Sequence, residues 1–281
     1  MKKITLFLST LMAVGIAPIA ANATPEDDLK AYRAYYQERF SDTPFKEFAN
    51  GNYALGLTTE DKRDQWLAQE DFPPYEGALE KGKELFETPF ANGKTYASCF
   101  KNGGKNIRQF YPYFDPESKQ VKTLEQEINE CRVQNGEKPL KWKKGPIAQI
   151  SAYMAYTSRG EPLSVKIDDS PESLAAYERG KQHWYGKRGQ LNMSCADCHM
   201  YNSGNNIRAD LLSAGIGHPT GFPVFRGKWG NLGTLHRRFG GCNKQVRAKD
   251  FKAQSDEYKA LEYFLTYMSN GLAVNAPSYR Q

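Results

Sequence analysis

Histidine and cysteine are scarce in this sequence, at four and five among 281 residues. Any centre that needs imidazole or thiolate donors must draw on that short roster, and each member can be weighed by its position. A strong excess of one charge is also missing. Thirty-eight basic residues against 32 acidic ones leave a formal net charge of +6. That balance is too mild to argue for nucleic acid, and no nucleic-acid motif accompanies it. Beyond residue 23 there is no apolar run long enough to cross a bilayer, so no membrane span is expected in the mature chain.

The one long apolar run is at the start. Lys2 and Lys3 precede the stretch Ile4 to Ala20, and Ala21-Asn22-Ala23 supplies small residues suited to signal-peptidase cleavage. Gly15 and Pro18 inside the run argue against a permanent anchor. Residues 1–23 are therefore expected to be a signal peptide, and the mature chain from Thr24 to be exported, in bacterial terms to the periplasm. Loss of Lys2 and Lys3 would lower the net charge from +6 to +4. An exported chain is also free to form disulfides.

Cys195-Ala196-Asp197-Cys198-His199 reads C-x-x-C-H, the attachment pattern of a c-type haem. Two residues between the thiols let both thioether bonds form on one helical turn, and the histidine that follows can turn its imidazole onto the iron. The competing reading is a free or metal-binding C-x-x-C with an unrelated histidine after it. Export agrees with the haem reading, because c-type haem is attached outside the cytoplasm.

The chain also repeats itself. Leu79-Glu80-Lys81-Gly82-Lys83 resembles Tyr177-Glu178-Arg179-Gly180-Lys181, and Asn106-Ile107-Arg108 matches Asn206-Ile207-Arg208. Tyr111-Pro112-Tyr113-Phe114 parallels Phe222-Pro223-Val224-Phe225, and Cys131 matches Cys242. From Tyr111 to Gly160 the offset is a constant 111 residues, whereas earlier it is 98 to 100. The second copy thus carries an insertion of about eleven residues near Leu211 to Gly221. Each copy is predicted to open with a helix, near 75–87 and 171–184, and to close with one, 147–157 and 258–268. Ser170 before Pro171 is a helix start, and Gly160 and Gly271 are stops. The expected fold is mainly α: a tandem repeat of two cytochrome c-like domains. Its parts are an N-terminal extension (24–74, helical near 26–39), a first domain (75–160), a linker (161–170) and a second domain (171–281).

Alignment of the copies sets Cys99 against Cys198, and so Tyr96 against the first thioether cysteine and Phe100 against the histidine. Only the second domain is then expected to bind haem. Cys99 and Cys131 remain in the first, where an exported chain would join them as a disulfide; two buried free thiols are the alternative. Cys242 is left alone, 43 residues after His199 and before the last helix. A simple electron carrier would place methionine or histidine there. Arg237, Arg238, Lys244, Arg247, Lys249 and Lys252 surround it, with Asp250 the single acid between 237 and 252. Such cations favour a thiolate and attract an anion, and Gly240 and Gly241 permit close backbone approach. A solvated basic loop is the plainer reading. His236 is a second candidate for the distal ligand, His218 could line a haem pocket, and His183 is expected to be packed in a helix. Met193 and Met200 are expected to be contacts, not ligands.

Together the paired domains, Cys195–His199 and Arg238-Phe239-Gly240-Gly241-Cys242 resemble the SoxA family, the c-type cytochrome subunits of the SoxAX complex of sulfur-oxidising bacteria. The resemblance spans essentially the whole mature chain. Some members carry two haems; Tyr96 and Phe100 make this sequence similar to the single-haem form with a disulfide in the first domain. The resemblance implies an L-cysteine S-thiosulfotransferase. Such an enzyme oxidatively conjugates thiosulfate to a cysteine of a SoxY carrier and passes electrons through one covalently bound haem to a SoxX partner cytochrome. It further implies that Cys195 and Cys198 hold the haem, and that His199 and Cys242 are its axial iron ligands. Cys242 would also be catalytic, often as a persulfide, with Arg238 binding thiosulfate. Two other readings stay open: an electron-transfer cytochrome c with His/Cys ligation and no transferase activity, and a peroxidase-type cytochrome.

Overall fold

The computed structural model describes residues 23–55, 60–208 and 210–280. The leader expected at 1–23 therefore lies, except for Ala23, outside the described residues. Among the described residues no helix is long and apolar enough to cross a membrane.

The architecture is mainly helical. Helix α1 (Pro25–Arg39) is started by Thr24, whose hydroxyl accepts from the Asp27 backbone N–H while the Asp27 carboxylate answers it, with Pro25 at the first turn. A 3-10 stretch (Phe45–Leu55) and helix α2 (Glu60–Asp71) complete the N-terminal extension. Three helices and a hairpin follow in the first half, with short 3-10 turns between them. They are α3 (Glu76–Glu87), the hairpin β1 (Tyr113–Asp115) and β2 (Gln120–Lys122), α4 (Leu124–Gln134) and α5 (Pro146–Tyr156).

The second half opens with α6 (Pro171–Tyr185), capped by the Ser170 hydroxyl as its sequence foretells. A small hairpin of β3 (Asn206–Ile207) and β4 (Asp210–Leu211) follows the haem motif. Then come β5 (Val224–Arg226), β6 (Asn231–Gly233), α7 (Leu235–Gln245), α8 (Asp256–Met268) and β7 (Ser278–Arg280). β5 pairs antiparallel with β6 and parallel with β7.

Elements recur at the 111-residue spacing of the sequence: β1/β5, β2/β6 and α4/α7 correspond end for end. The Tyr111–Pro112 and Phe222–Pro223 peptides are both cis. Helix contacts recur as well. A Cβ on Gly82 would stand 2.1 Å from Gln149 O, and one on Gly180 would stand 2.1 Å from Ala260 O. At both places the opening helix presses its backbone onto the closing helix, so only glycine fits. Gly160 and Gly271 end the closing segments with φ of 88° and 84°.

The core is divided accordingly. One cluster holds Phe86, Phe90, Tyr96, Phe100, Ile128 and Met154 of the first half. Tyr96 stacks on Phe86, ring centroids 5.8 Å apart, and its hydroxyl accepts from Arg132 Nη1 at 3.0 Å. Cys99 and Cys131 are joined in a disulfide within this half. The larger cluster combines Tyr177, Trp184, Ala196, Leu261 and Phe264 of the second half with Tyr32, Tyr36 and Phe48 of the extension. The N-terminal extension is thus built into the second half's core, which the sequence had not indicated.

Candidate haem and thiol site

Cys195 lies just before a single π-type turn, Asp197–Tyr201, that carries Cys198 and His199. Ser194 and Asp197 cap one another across the turn: the Ser194 N–H donates to the Asp197 carboxylate at 2.8 Å, and the Asp197 N–H to Ser194 Oγ at 3.0 Å. Among the described residues Cys195, Cys198 and Cys242 are free thiols.

The His199 ring is held by its Nδ1, 2.9 Å from the Ser213 carbonyl. A carbonyl can only accept, so Nδ1 donates to it, and Nε2 is left as the ring nitrogen that could bind a metal. Trp184 stacks along the ring at 6.4 Å, and His218 packs edge-on at 4.4 Å. His218 itself hydrogen-bonds through Nε2 to Ser213 Oγ at 2.8 Å. Burial, then the neighbouring His199, holds its pKa well below the ordinary value, so it is neutral. It lines the site beside His199, as expected.

Cys242 comes to the same place from α7, one turn after Arg238. Burial raises its thiol, but Arg238, a hydrogen bond with His199 and the charge of Arg226 outweigh that and bring it down to about 7. Cys195, by contrast, is pushed by burial up to about 12, and Cys198 is also raised by burial. The three thiols are therefore not alike: Cys242 is the one held as a nucleophile near neutral pH.

Beside Cys242 opens a cavity of about 520 Å³. Lys143, Arg226, Lys228, Arg237, Arg238 and Lys244 line it. Asp250 is the one acid, and it is shared by Lys143 and Lys244 at 3.6 Å each. Arg237 lies 4.1 Å above the Trp229 ring and is tied to Asn231. Burial, then Arg238, lowers Arg226 to about 10. A pocket of that make-up suits a small dianion.

Several sequence expectations are sorted by this geometry. The basic stretch is not a loop through Cys242: it is helical to Gln245, and Arg247, Lys249 and Lys252 do not line the cavity. His236 turns the other way, with Nδ1 accepting from the Gln254 N–H at 3.0 Å and Nε2 3.1 Å from Glu262. Its ring is thus turned toward Gln254 and Glu262, although Nε2 forms no hydrogen bond there. His183 is half-buried in α6, and desolvation lowers it to about 3. Met200 is buried, its sulfur 3.6 Å from the Tyr185 hydroxyl, and Met193 pairs by backbone with Arg188. Arg226, Lys143 and Ser213 were missed. Arg226 closes the strand that begins at the Phe222-Pro223-Val224-Phe225 repeat, and Ser213 lies in the insertion that the change of offset marks.

The donor set fits a c-type haem. Two thiols stand on one turn, an imidazole presents its Nε2, and a thiolate-forming cysteine faces it from another helix.

A family model described as SoxA/TsdA, cytochrome c domain, matches residues 81–163 and 179–274. The L-cysteine S-thiosulfotransferase subunit SoxA of Allochromatium vinosum is 50% identical, with all of both chains covered. The protein of the same description from Chlorobaculum tepidum is 51% identical over 98% of this chain and 96% of its own. Among solved structures, a chain in the crystal structure of SoxXA from P. pantotrophus superposes with a TM-score of 0.71 at 33% identity. It covers 78% of this chain and 84% of that one.

Proposed function

Because the chain belongs to the SoxA family of cytochrome c proteins, we propose that it is an L-cysteine S-thiosulfotransferase subunit in which Cys242 is the reacting group. The observation that carries this reading is the meeting of Cys242 with His199 beside the Cys195/Cys198 pair, at the edge of a cationic cavity.

Cys195 and Cys198 would hold one haem by thioether bonds, and His199 and Cys242 would supply ligands to its iron. When bound, the haem supplies a one-electron acceptor in contact with the thiolate. The two halves are read as copies of one cytochrome c unit, and only the second holds haem. Tyr96 filling the core where the other half has Cys195, together with the Cys99–Cys131 bridge, supports that reading.

Arg238 and Arg226 keep the Cys242 sulfur anionic and draw thiosulfate to it. The Cys242 thiolate and thiosulfate together carry three negative charges. Joining their sulfurs leaves a monoanionic thiosulfonate on Cys242 and releases two electrons, so the charge balances. A carrier thiolate then attacks the sulfur next to Cys242 Sγ; the thiosulfonate moves to the carrier, and Cys242 leaves as thiolate. Two electrons are released and a one-electron cofactor would store only one, so a partner redox protein would be required. A SoxX-type monohaem cytochrome would fill that role, as a chain of this fold occurs in SoxXA. The carrier would be of SoxY type and the compartment the periplasm.

Cys242→Ala tests the reading in the purified complex with its carrier. Thiosulfate conjugation should fall to background, and thiolate-type low-spin signals in the electron paramagnetic spectrum should vanish. Conjugation at the wild-type rate would refute it.

A further inference from the structure

The extension helix α1 has no part in the reaction as described, yet it is bound at three points on and just past the turn that carries His199. Tyr36 donates to the His199 carbonyl at 2.6 Å and Tyr35 to the Met200 carbonyl at 3.0 Å. Arg39 donates to the Ser203 carbonyl through both Nε and Nη2, at 2.9 and 2.8 Å. Residues 35, 36 and 39 lie within one turn of α1, so a single helix engages His199, Met200 and Ser203 together.

Tyr36 does more than its neighbours. Its side chain is fully buried, and its hydroxyl also accepts from the Gly215 N–H at 3.1 Å. The Gly215 N–H in turn donates to the His199 carbonyl at 2.8 Å. Gly215 lies two residues after Ser213, whose carbonyl takes the proton of His199 Nδ1. The Tyr36 hydroxyl therefore ties the backbone of His199 to the loop that orients its ring.

That loop has little room of its own. A Cβ on Gly215 would stand 2.6 Å from the Tyr32 hydroxyl, and one on Gly217 would stand 2.1 Å from Phe48 O. Thr220 Oγ1 donates to the Ala49 carbonyl at 2.9 Å. The loop 213–220 is thus pressed against His199 from outside by the extension.

We propose that Tyr36 is a positioning residue for His199: through its hydroxyl the N-terminal extension fixes the imidazole's orientation and the hydrogen bond from Nδ1 to Ser213. This rests on the reading of His199 as an axial ligand. A firm Nδ1–H···O bond makes the ring a stronger electron donor and favours the oxidised iron; slackening it favours the reduced form.

Tyr36→Phe keeps the buried ring and deletes only the hydroxyl. In the purified complex, potentiometric titration of this chain's haem should show the reduced form favoured about tenfold, an upward shift of about 59 mV for a one-electron couple. The low-spin g-values should change with it. Tyr35→Phe, whose hydroxyl meets Met200 and not His199, should leave both near wild type. An unmoved potential in Tyr36→Phe, or an equal shift in Tyr35→Phe, would overturn the proposal. His199→Gly separates the two readings. If it alters the haem spectrum while Tyr36→Phe does not, His199 is a ligand and Tyr36 does not position it. If it leaves the low-spin signals unchanged, the ligand reading fails and this inference with it.

Discussion

His236 faces Glu262 across the α7–α8 contact, Nε2 to Oε2 3.1 Å, with both side chains almost wholly buried. One repeat earlier, the same positions hold Glu125 and Ser151, and the Ser151 hydroxyl donates to Glu125 Oε1 at 2.8 Å. The two pairs influence each other: burial, then the charge of Glu262, raises the Glu125 pKa above its ordinary 4.5, with Arg108 and Ser151 opposing. The folded chain therefore holds a proton that the unfolded chain releases. Stability from this site is complete below about pH 4.5 and is lost as pH rises through the raised value. Glu125→Gln keeps an acceptor for Ser151 and removes the ionisation. Its apparent melting temperature relative to wild type should climb by a few degrees between about pH 5 and pH 8, since about 1 kcal/mol corresponds to 2–4 °C at this size. Parallel pH profiles for the two proteins would show that Glu125 titrates normally.

The two glycine crossings predict matched losses. A methyl group on Gly82 or Gly180 meets a carbonyl oxygen of the opposite helix at 2.1 Å, and backbone cannot swing aside as a side chain can. Gly82→Ala and Gly180→Ala should each cost about 1–3 kcal/mol, read as a lower midpoint in thermal or denaturant unfolding. Gly180→Ala, in the half proposed to bind haem, should also bring forward the loss of the haem absorbance on heating. A midpoint unchanged in either variant would mean that the helices part easily.

Much of this was legible in the sequence where local chemistry decides. Ser170 and Pro171 start α6 as read, and the closing helices fall within two residues of their predicted bounds because their apolar period is regular. The C-x-x-C-H pattern and the place of Cys242 in the repeat could be read because spacing and repeat are one-dimensional signals. Helix α7 was not. Gly240, Gly241 and the run of cations hide its period, and tertiary packing of buried Leu235, His236 and Phe239 holds it helical. Tyr36 and His199 are 163 residues apart, and nothing local to either announces the other.

Arg238 is predicted to matter through thiosulfate itself. It lines the cavity and is the strongest of the charges favouring the Cys242 thiolate. Arg238→Met should reduce kcat/KM for thiosulfate by about 10- to 100-fold, or roughly 1.4–2.7 kcal/mol of transition-state stabilisation. Arg238→Lys should recover only part, because an ammonium cannot offer the guanidinium's paired donors. The difference from wild type should narrow as salt is raised, since the attraction is screened. Kinetics across an ionic-strength series would measure this, and a salt-independent defect would point to a structural role instead.

The Cys99–Cys131 bridge should govern stability and leave chemistry alone. It joins positions 32 residues apart and lies in the core that contains Tyr96 and Phe100, apart from the cluster around Trp184 and Ala196. Closing a loop of that length restricts the unfolded chain by about 3–4 kcal/mol. The double variant Cys99→Ala with Cys131→Ala should therefore lose that much unfolding free energy, read as a lower urea midpoint. Its haem absorbance, potential and conjugation rate at moderate temperature should match wild type, because neither residue touches Cys242, His199 or the cationic cavity. A shifted haem potential would mean that the first half reaches the haem electronically or mechanically. An unchanged midpoint would mean that Tyr96, Phe86 and Phe90 already hold that core without the bridge.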